Sequence, residues 1–204
     1  MIDPKAESLA TDSKAQPSSP MRHSPVRRSR VHHWARLLVL SCCVMLVACG
    51  AAPVESIDPE ARRAAPEVEL RDLVSGDVTS LEGYRGKVVL LDFWATWCGP
   101  CKIQQRILDE LHEEIDAEGV AFLAINTGEE DDEVRRYLQR TPFPYPNLMD
   151  SEGVAAARFR VTGLPTVLVL DEEGRIAYDR VGVTDKDTLR SILEQELGEA
   201  EPAG

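Results

Sequence analysis

Cysteine is scarce in this chain: there are five in 204 residues, and only Cys98 and Cys101 lie beyond position 49. That excludes a disulfide-rich scaffold, and in an oxidising space it leaves no spare thiol to scramble with the pair. Histidine is also sparse. His23, His32 and His33 share the N-terminal segment with Cys42, Cys43 and Cys49, so a zinc site on Cys98 and Cys101 would find only His112 as a further soft ligand. Three ligands fall short of the four a structural zinc site takes, and no metal is expected. No apolar run reaches membrane-spanning length; Leu37 to Val47 is too short for a stable transmembrane helix. Positive charge is in deficit as well, with 23 Lys and Arg against 35 Asp and Glu for a net charge of −12. Such a balance argues against binding nucleic acid or an anionic membrane through a basic patch, and favours solubility, or neutral to basic partners.

What the N-terminus does have is order. Arg22, Arg27, Arg28, Arg30 and Arg36 precede the apolar run, which ends in Leu46-Val47-Ala48-Cys49-Gly50. Basic, apolar and small-residue regions in that sequence are those of an export signal, expected over residues 1–48. The residues before Met21 are polar and rich in Ser and Pro, unlike a signal's basic region, so Met21 is a candidate true start. Arg27-Arg28 suggests twin-arginine export, but its surroundings match that pattern poorly. Without residues 1–48 the chain keeps 16 basic and 32 acidic residues, a more one-sided balance. Gly50 to Pro66 is rich in Ala, Pro and Glu without apolar periodicity. It is expected to be a flexible tether (residues 49–66) reaching on the order of 50 Å when extended.

From residue 67 onward the pattern is that of one α/β domain. Val68 to Leu73 and Val78-Thr79 suggest short leading strands, Leu81 to Lys87 a loop, and Lys87 to Ala95 a strand buried on both faces. Ile103, Ile107, Leu108, Leu111 and Ile115 recur at helical spacing, which places a helix from Cys98 to about Ala117, stopped by Gly119. An apolar strand, Val120 to Ile125, leads into the acidic loop Asn126 to Asp132 and a helix around Glu133 to Gln139. The prolines of Thr141 to Pro146 force an extended stretch. A strand near Leu148, a helix near Val154 to Phe159, a hairpin of Thr166–Leu170 with Ile176–Arg180, and a final helix striped by Leu189, Ile192, Leu193 and Leu197 complete the reading. Alternating strands and helices around buried strands indicate a layered α/β fold.

Trp97-Cys98-Gly99-Pro100-Cys101 therefore sits at a strand-to-helix junction. Two thiols three positions apart suit reversible disulfide exchange. At a helix N-terminus the macrodipole and unpaired N–H groups favour the Cys98 thiolate, lowering its pKa below the free value of about 8.5. Cys101, one turn in, is the natural resolving thiol. A purely structural bridge would close too short a loop to stabilise much.

Trp97-Cys98-Gly99-Pro100-Cys101, Gly163-Leu164-Pro165-Thr166 and Asn126-Thr127-Gly128-Glu129 with the helix after it together resemble the TlpA/ResA-like group of membrane-tethered extracytoplasmic thiol-disulfide oxidoreductases. The resemblance covers roughly residues 66–198 and implies a thioredoxin fold, a central mixed sheet flanked by helices, with a strand-helix insertion around Asn126–Glu129. The segment ending at Cys49 resembles a bacterial lipobox, which implies a lipid on Cys49, membrane attachment through it, and an address on the extracytoplasmic face of the cell envelope. By the same resemblance Cys98 attacks a partner disulfide, Cys101 resolves the mixed disulfide, and Asp92 is the buried carboxylate that takes the Cys101 proton. Glu129 matches an acidic residue of the insertion and is a further catalytic candidate, although five acids in a row also suit a helix start. Pro165 is implied to be cis and to present the Leu164 backbone to an incoming peptide. Trp97, Gly99, Pro100, Leu164 and Gly182 would form the apolar docking surface. Phe93 and Trp94 are assigned to the core, His112 and Lys102 to the surface.

The dithiol is itself the redox group, so no cofactor is called for. A Gly-Pro dipeptide is that of thioredoxin, near about −270 mV, and implies a reductant. Its implied partners are disulfide-bearing exported proteins, apocytochrome c among them, and a membrane electron donor of the DsbD/CcdA kind, with no nucleic acid. Two other readings stay open: a peroxiredoxin-like thiol peroxidase, whose Pro-x-x-x-Thr-x-x-Cys pattern is broken by Ala95 three residues before Cys98, and a non-catalytic binding module on the same fold.

Overall fold

Seven consecutive buried residues, Val88–Trp94, form the middle of the molecule. The computed structural model describes residues 56–115 and 119–199. The expected export signal, Met21, Cys49 and the start of the tether lie outside the described residues. In chain order the elements are β1 (Glu69–Asp72), β2 (Val78–Ser80), β3 (Val88–Trp94), α1 (Gly99–Glu114), β4 (Val120–Thr127), α2 (Asp131–Leu138), β5 (Asn147–Asp150), α3 (Val154–Phe159), β6 (Thr166–Leu170), β7 (Ile176–Val181) and α4 (Lys186–Glu199). The strands make one mixed sheet in the order β2-β1-β5-β4-β3-β6-β7. β3, β4 and β5 run parallel, while β6 lies antiparallel to β3 and β7 antiparallel to β6. This is the thioredoxin-type α/β architecture expected from the sequence.

Alternation along β3 divides the core. Val88, Leu90 and Trp94 pack with Leu108 and Leu111 of α1 and Leu189, Ile192 and Leu193 of α4. Val89, Leu91 and Phe93 pack on the opposite face with Ala155 and Phe159 of α3, the Phe93 and Phe159 rings lying 5.5 Å apart. By the same alternation Asp92 belongs to the face that α1 covers. Phe93 and Trp94 are core residues, as expected.

Several boundaries differ from the sequence reading. β4 runs on through Asn126 and Thr127 because parallel β5 keeps pairing with it there, Asn126 opposite Met149 and Thr127 opposite Asp150. α2 accordingly starts at Asp131. α1 ends at Glu114, with Ile115 already extended. Leu81–Tyr84, expected as loop, is a 3₁₀ turn capped by the Ser80 hydroxyl.

The largest correction concerns the tether. From Ile57 to Ala65 the chain is a strap laid along the β6–β7 hairpin: Ile57 N–H donates to the Ala177 carbonyl, Ile176 N–H to Arg63 and Ala65 N–H to Gly174. Arg62 anchors it. Its guanidinium donates to Asp171 Oδ2 at 3.2 Å and to Glu196 Oε2 and Oε1 at 2.7 and 3.0 Å, all three side chains being buried. Polar and edge contacts of this kind leave no apolar period in the sequence. Replacing Arg62 with Met takes the guanidinium away from two buried carboxylates, of which Asp171 keeps Arg175, and is expected to destabilise the domain by about 3 kcal/mol, read as a lower urea midpoint at unchanged slope.

Candidate active site

β3 ends at Trp94, and the chain turns through Ala95-Thr96-Trp97, closed by Cys98 N–H donating to the Ala95 carbonyl at 3.1 Å. Cys98 is the N-cap of α1, and its Sγ accepts the Cys101 N–H at 3.2 Å. Gly99 and Pro100 occupy the first two helical positions, where proline's missing N–H costs nothing. Cys98 and Cys101 are joined as a disulfide with Cα atoms 5.3 Å apart. Trp97 beside them is 71 % exposed, an unusual setting for so large an apolar ring.

The neighbouring strand supplies the opposite wall. Thr166 of β6 pairs with Phe93, so the residues just before β6 lie at the same sheet end as the dithiol. The Leu164–Pro165 bond is cis, as expected. Leu164 packs against the core cluster that includes both cysteines. Gly182 N–H donates to the Pro165 carbonyl at 2.8 Å, and its φ of +100° is one that a side chain would strain.

Glu129 is buried, and its carboxylate is fully engaged. Oε2 accepts the Thr96 N–H at 2.7 Å and the Asn126 Nδ2–H at 2.8 Å, while Oε1 accepts the Thr96 hydroxyl. It therefore holds the backbone two residues before Cys98. That geometry is of a positioning residue: it touches Thr96 and Asn126, and places the loop that bears the nucleophile.

Asp92 is 1 % exposed, and neither carboxylate oxygen has a hydrogen-bond partner among the described residues. Burial first, then the nearby charge of Asp109, pushes its pKa up to about 7. Asp109 of α1 is itself raised by burial, an effect that Tyr145 and His112 oppose. The Tyr145 hydroxyl is raised by burial and by the charges of Asp92 and Asp109. Two carboxylates, a phenol and an imidazole thus act on one another on the side of the sheet that α1 covers. His112, expected at the surface, instead sits half-buried with its ring 5.1 Å from Phe122 and 5.5 Å from Tyr145.

Sequence reasoning missed other members of the site. Gln104, buried one turn beyond Cys101, accepts the Thr184 N–H at 2.7 Å and so ties the loop bearing Gly182 to α1. A glutamine on the buried stripe of an amphipathic helix was the available signal. Ile103, Val181 and Val183 are exposed apolar residues that join Trp97 around the dithiol end. Lys102 is exposed, its ammonium 5.9 Å from the Tyr137 ring centre. No group of three metal-ligating side chains occurs among the described residues.

Asp92 sets a pH dependence. Its folded pKa lies above the unfolded value of about 4, so the folded state keeps a proton that the unfolded chain releases, and stability falls as pH rises from about 4 to 7. Asp92→Asn is expected to stabilise the oxidised domain above pH 7 by no more than about 4 kcal/mol and to change nothing near pH 3, measured by urea unfolding across that range.

Comparison with known proteins agrees with this geometry. The model of the AhpC/TSA family matches residues 61–179. The thiol-disulfide oxidoreductase ResA of Geobacillus thermodenitrificans is 33% identical over 130 residues, covering 64% of this chain and 74% of that protein. The crystal structure of a putative thiol:disulfide interchange protein DsbE from Chlorobium tepidum superposes with a TM-score of 0.60 at 29% identity, over 68% of this chain and 96% of that one. The pneumococcal exposed lipoprotein thioredoxin from Streptococcus pneumoniae strain TIGR4 superposes with a TM-score of 0.58 at 26% identity, over 64% of this chain and 99% of its own. With a dithiol at a helix N-terminus, a facing cis-proline and this kinship, the chain belongs to the AhpC/TSA family and, within it, to the thiol-disulfide oxidoreductases of the ResA type.

Proposed function

We propose that this protein is a protein-disulfide reductase of the cell envelope, exported by residues 1–48 and held to the membrane by a lipid on Cys49. The observation that carries the reductase reading is the Cys98–Cys101 disulfide capping α1 with Asp92 buried behind it. In the reduced enzyme the Cys98 thiolate sits at the positive end of α1, within reach of the Cys101 N–H. It attacks one sulfur of the client disulfide and expels the other as a thiolate. Asp92 accepts the Cys101 proton, a transfer suited to a pKa of about 7, and the Cys101 thiolate attacks Cys98 to free the second client thiol. Two electrons pass to the client, and the enzyme is left with the disulfide seen here. Reduction by a membrane donor of the DsbD/CcdA kind then resets it.

Trp97, Gly99, Pro100, Leu164 and Gly182, with Val181 and Val183, offer an apolar seat for the client, whose backbone pairs with that of Leu164 beside Pro165. The Gly99-Pro100 dipeptide supports the reducing direction. The order of basic, apolar and Cys49-terminated segments supports the lipid anchor, as does the likeness to a pneumococcal lipoprotein. Exported disulfide proteins are the client class, and apocytochrome c is the member that the ResA resemblance carries. A peroxidase reading is disfavoured by buried Ala95, which has no hydroxyl to offer a peroxide at that position.

The test is equilibration of the Cys98–Cys101 pair with redox buffers. A potential of about −270 mV is expected, and one near −120 mV overturns the reductase assignment. In client assays Cys101→Ser is expected to accumulate a mixed disulfide on Cys98, and Asp92→Asn to slow resolution about tenfold or more while removing the inflection near pH 7 from the rate profile.

A further inference from the structure

Between α1 and α2, against the segment that carries the dithiol, lies an open cleft of about 720 Å³. Thr96, Lys102, Glu133, Arg136, Tyr137, Gln139, Arg140 and Thr141 line it. Thr96 is two residues from Cys98 and Lys102 directly follows Cys101, so the cleft borders the segment that carries the reacting sulfurs. Its charge runs against that of the chain: three cations and one acid line it, on a protein of net charge −12.

These cations are not spoken for. Among the described residues Arg62, Arg63, Arg71, Arg135, Arg175, Lys186 and Arg190 all form ion pairs with carboxylates. Lys102, Arg136 and Arg140 form none, and neither do Arg85, Lys87, Arg106, Arg158, Arg160 and Arg180; what sets the three apart is that they line one cleft, beside an α2 whose first turn is acidic from Asp131 to Glu133. Asp131 is occupied by Arg71, with both oxygens accepting from its Nη2. Arg136 is aimed by a main-chain contact, its Nε donating to the Asp132 carbonyl at 3.0 Å. Lys102 rests near the Tyr137 face, which orients it without neutralising it. Thr96 and Thr141 add hydroxyls at the rim, although the Thr96 hydroxyl is already given to Glu129.

We infer that this cleft is an anion subsite that seats a carboxylate-bearing segment of the client, Asp or Glu side chains close in sequence to the disulfide under attack. The inference rests on the proposed reductase function and specifies its substrate: an acidic peptide flank meets Lys102, Arg136 and Arg140 while the disulfide lies over Cys98. On a surface of net negative charge an acidic flank is favoured where cations are grouped, so the cleft sets register as well as affinity.

The experiment uses the full chain and two disulfide-bonded peptides that differ only in Glu or Gln at the residues flanking one cysteine, with oxidised glutathione as a small carboxylate-bearing disulfide. The Glu peptide is expected to show a KM about fivefold lower at low ionic strength, an advantage lost at high salt. Arg136→Gln with Arg140→Gln is expected to bring the Glu-to-Gln ratio to about one, and Arg136→Lys with Arg140→Lys to keep it. Both arginines are exposed, so these changes leave the core untouched. Equal KM values for the two peptides, or a preference that survives the glutamine substitutions, overturns the subsite. A charge effect seen with oxidised glutathione and absent from the peptides overturns its assignment to a client segment. If neither peptide is reduced, the proposed function itself fails, and the subsite with it.

Discussion

The burial of β3 on both faces is the constraint on which the rest depends. A strand flanked by parallel β4 and antiparallel β6 can neither shift register nor fray, because each of its apolar side chains fills one of two cores. Its end is therefore a fixed point, and the nucleophile is built onto that point within a single turn. Glu129 stiffens the link by fastening Thr96, and Gln104 fastens the loop on the far side of the dithiol. The sulfurs sit between the Ala95–Trp97 turn, held by Glu129, and the loop bearing Gly182, held by Gln104 and joined in turn to the Pro165 carbonyl.

The same strand carries the least comfortable group in the molecule. A carboxylate without a hydrogen-bond partner is tolerable in a leucine-rich layer only while it is protonated. The charge of Asp109 makes ionisation harder still, where a cation in its place would ease it. Stability is thereby sacrificed to hold a proton acceptor whose pKa matches its surroundings, as is common at functional sites.

Much of this was legible in the sequence, for reasons that differ by element. Cys98 and Cys101 were legible because spacing alone puts them on one helical turn. The bounds of α3 and β6 matched the reading residue for residue, since a compact apolar segment between turn residues has few other ways to fold. The resemblance, and not the dipeptide, anticipated the cis bond at Pro165. Illegible were the features made by contacts distant in sequence. Arg62 finds Glu196 across 134 positions, and nothing in a stretch of Ala, Pro and Glu announces it. His112, four residues after Leu108, has the spacing of the buried stripe, but its polarity pointed to the surface, and only the fold shows Phe122 and Tyr145 against it. The charge of the cleft was hidden by the average: a net-acidic composition says nothing about where unpaired cations gather.

The strap gives the molecule a direction. It is fastened at the Asp171–Arg175 turn, and that turn stands next to the start of β3, since Leu170 pairs with Val89 while Thr166 pairs with Phe93. The dithiol lies past the other end of the same strand, about 20 Å away at the usual rise per residue. Any pull on the N-terminal side enters the domain at its base and is borne in shear by the arginine clasp and the hairpin edge. The catalytic rim, at the far end of β3, lies outside that load path.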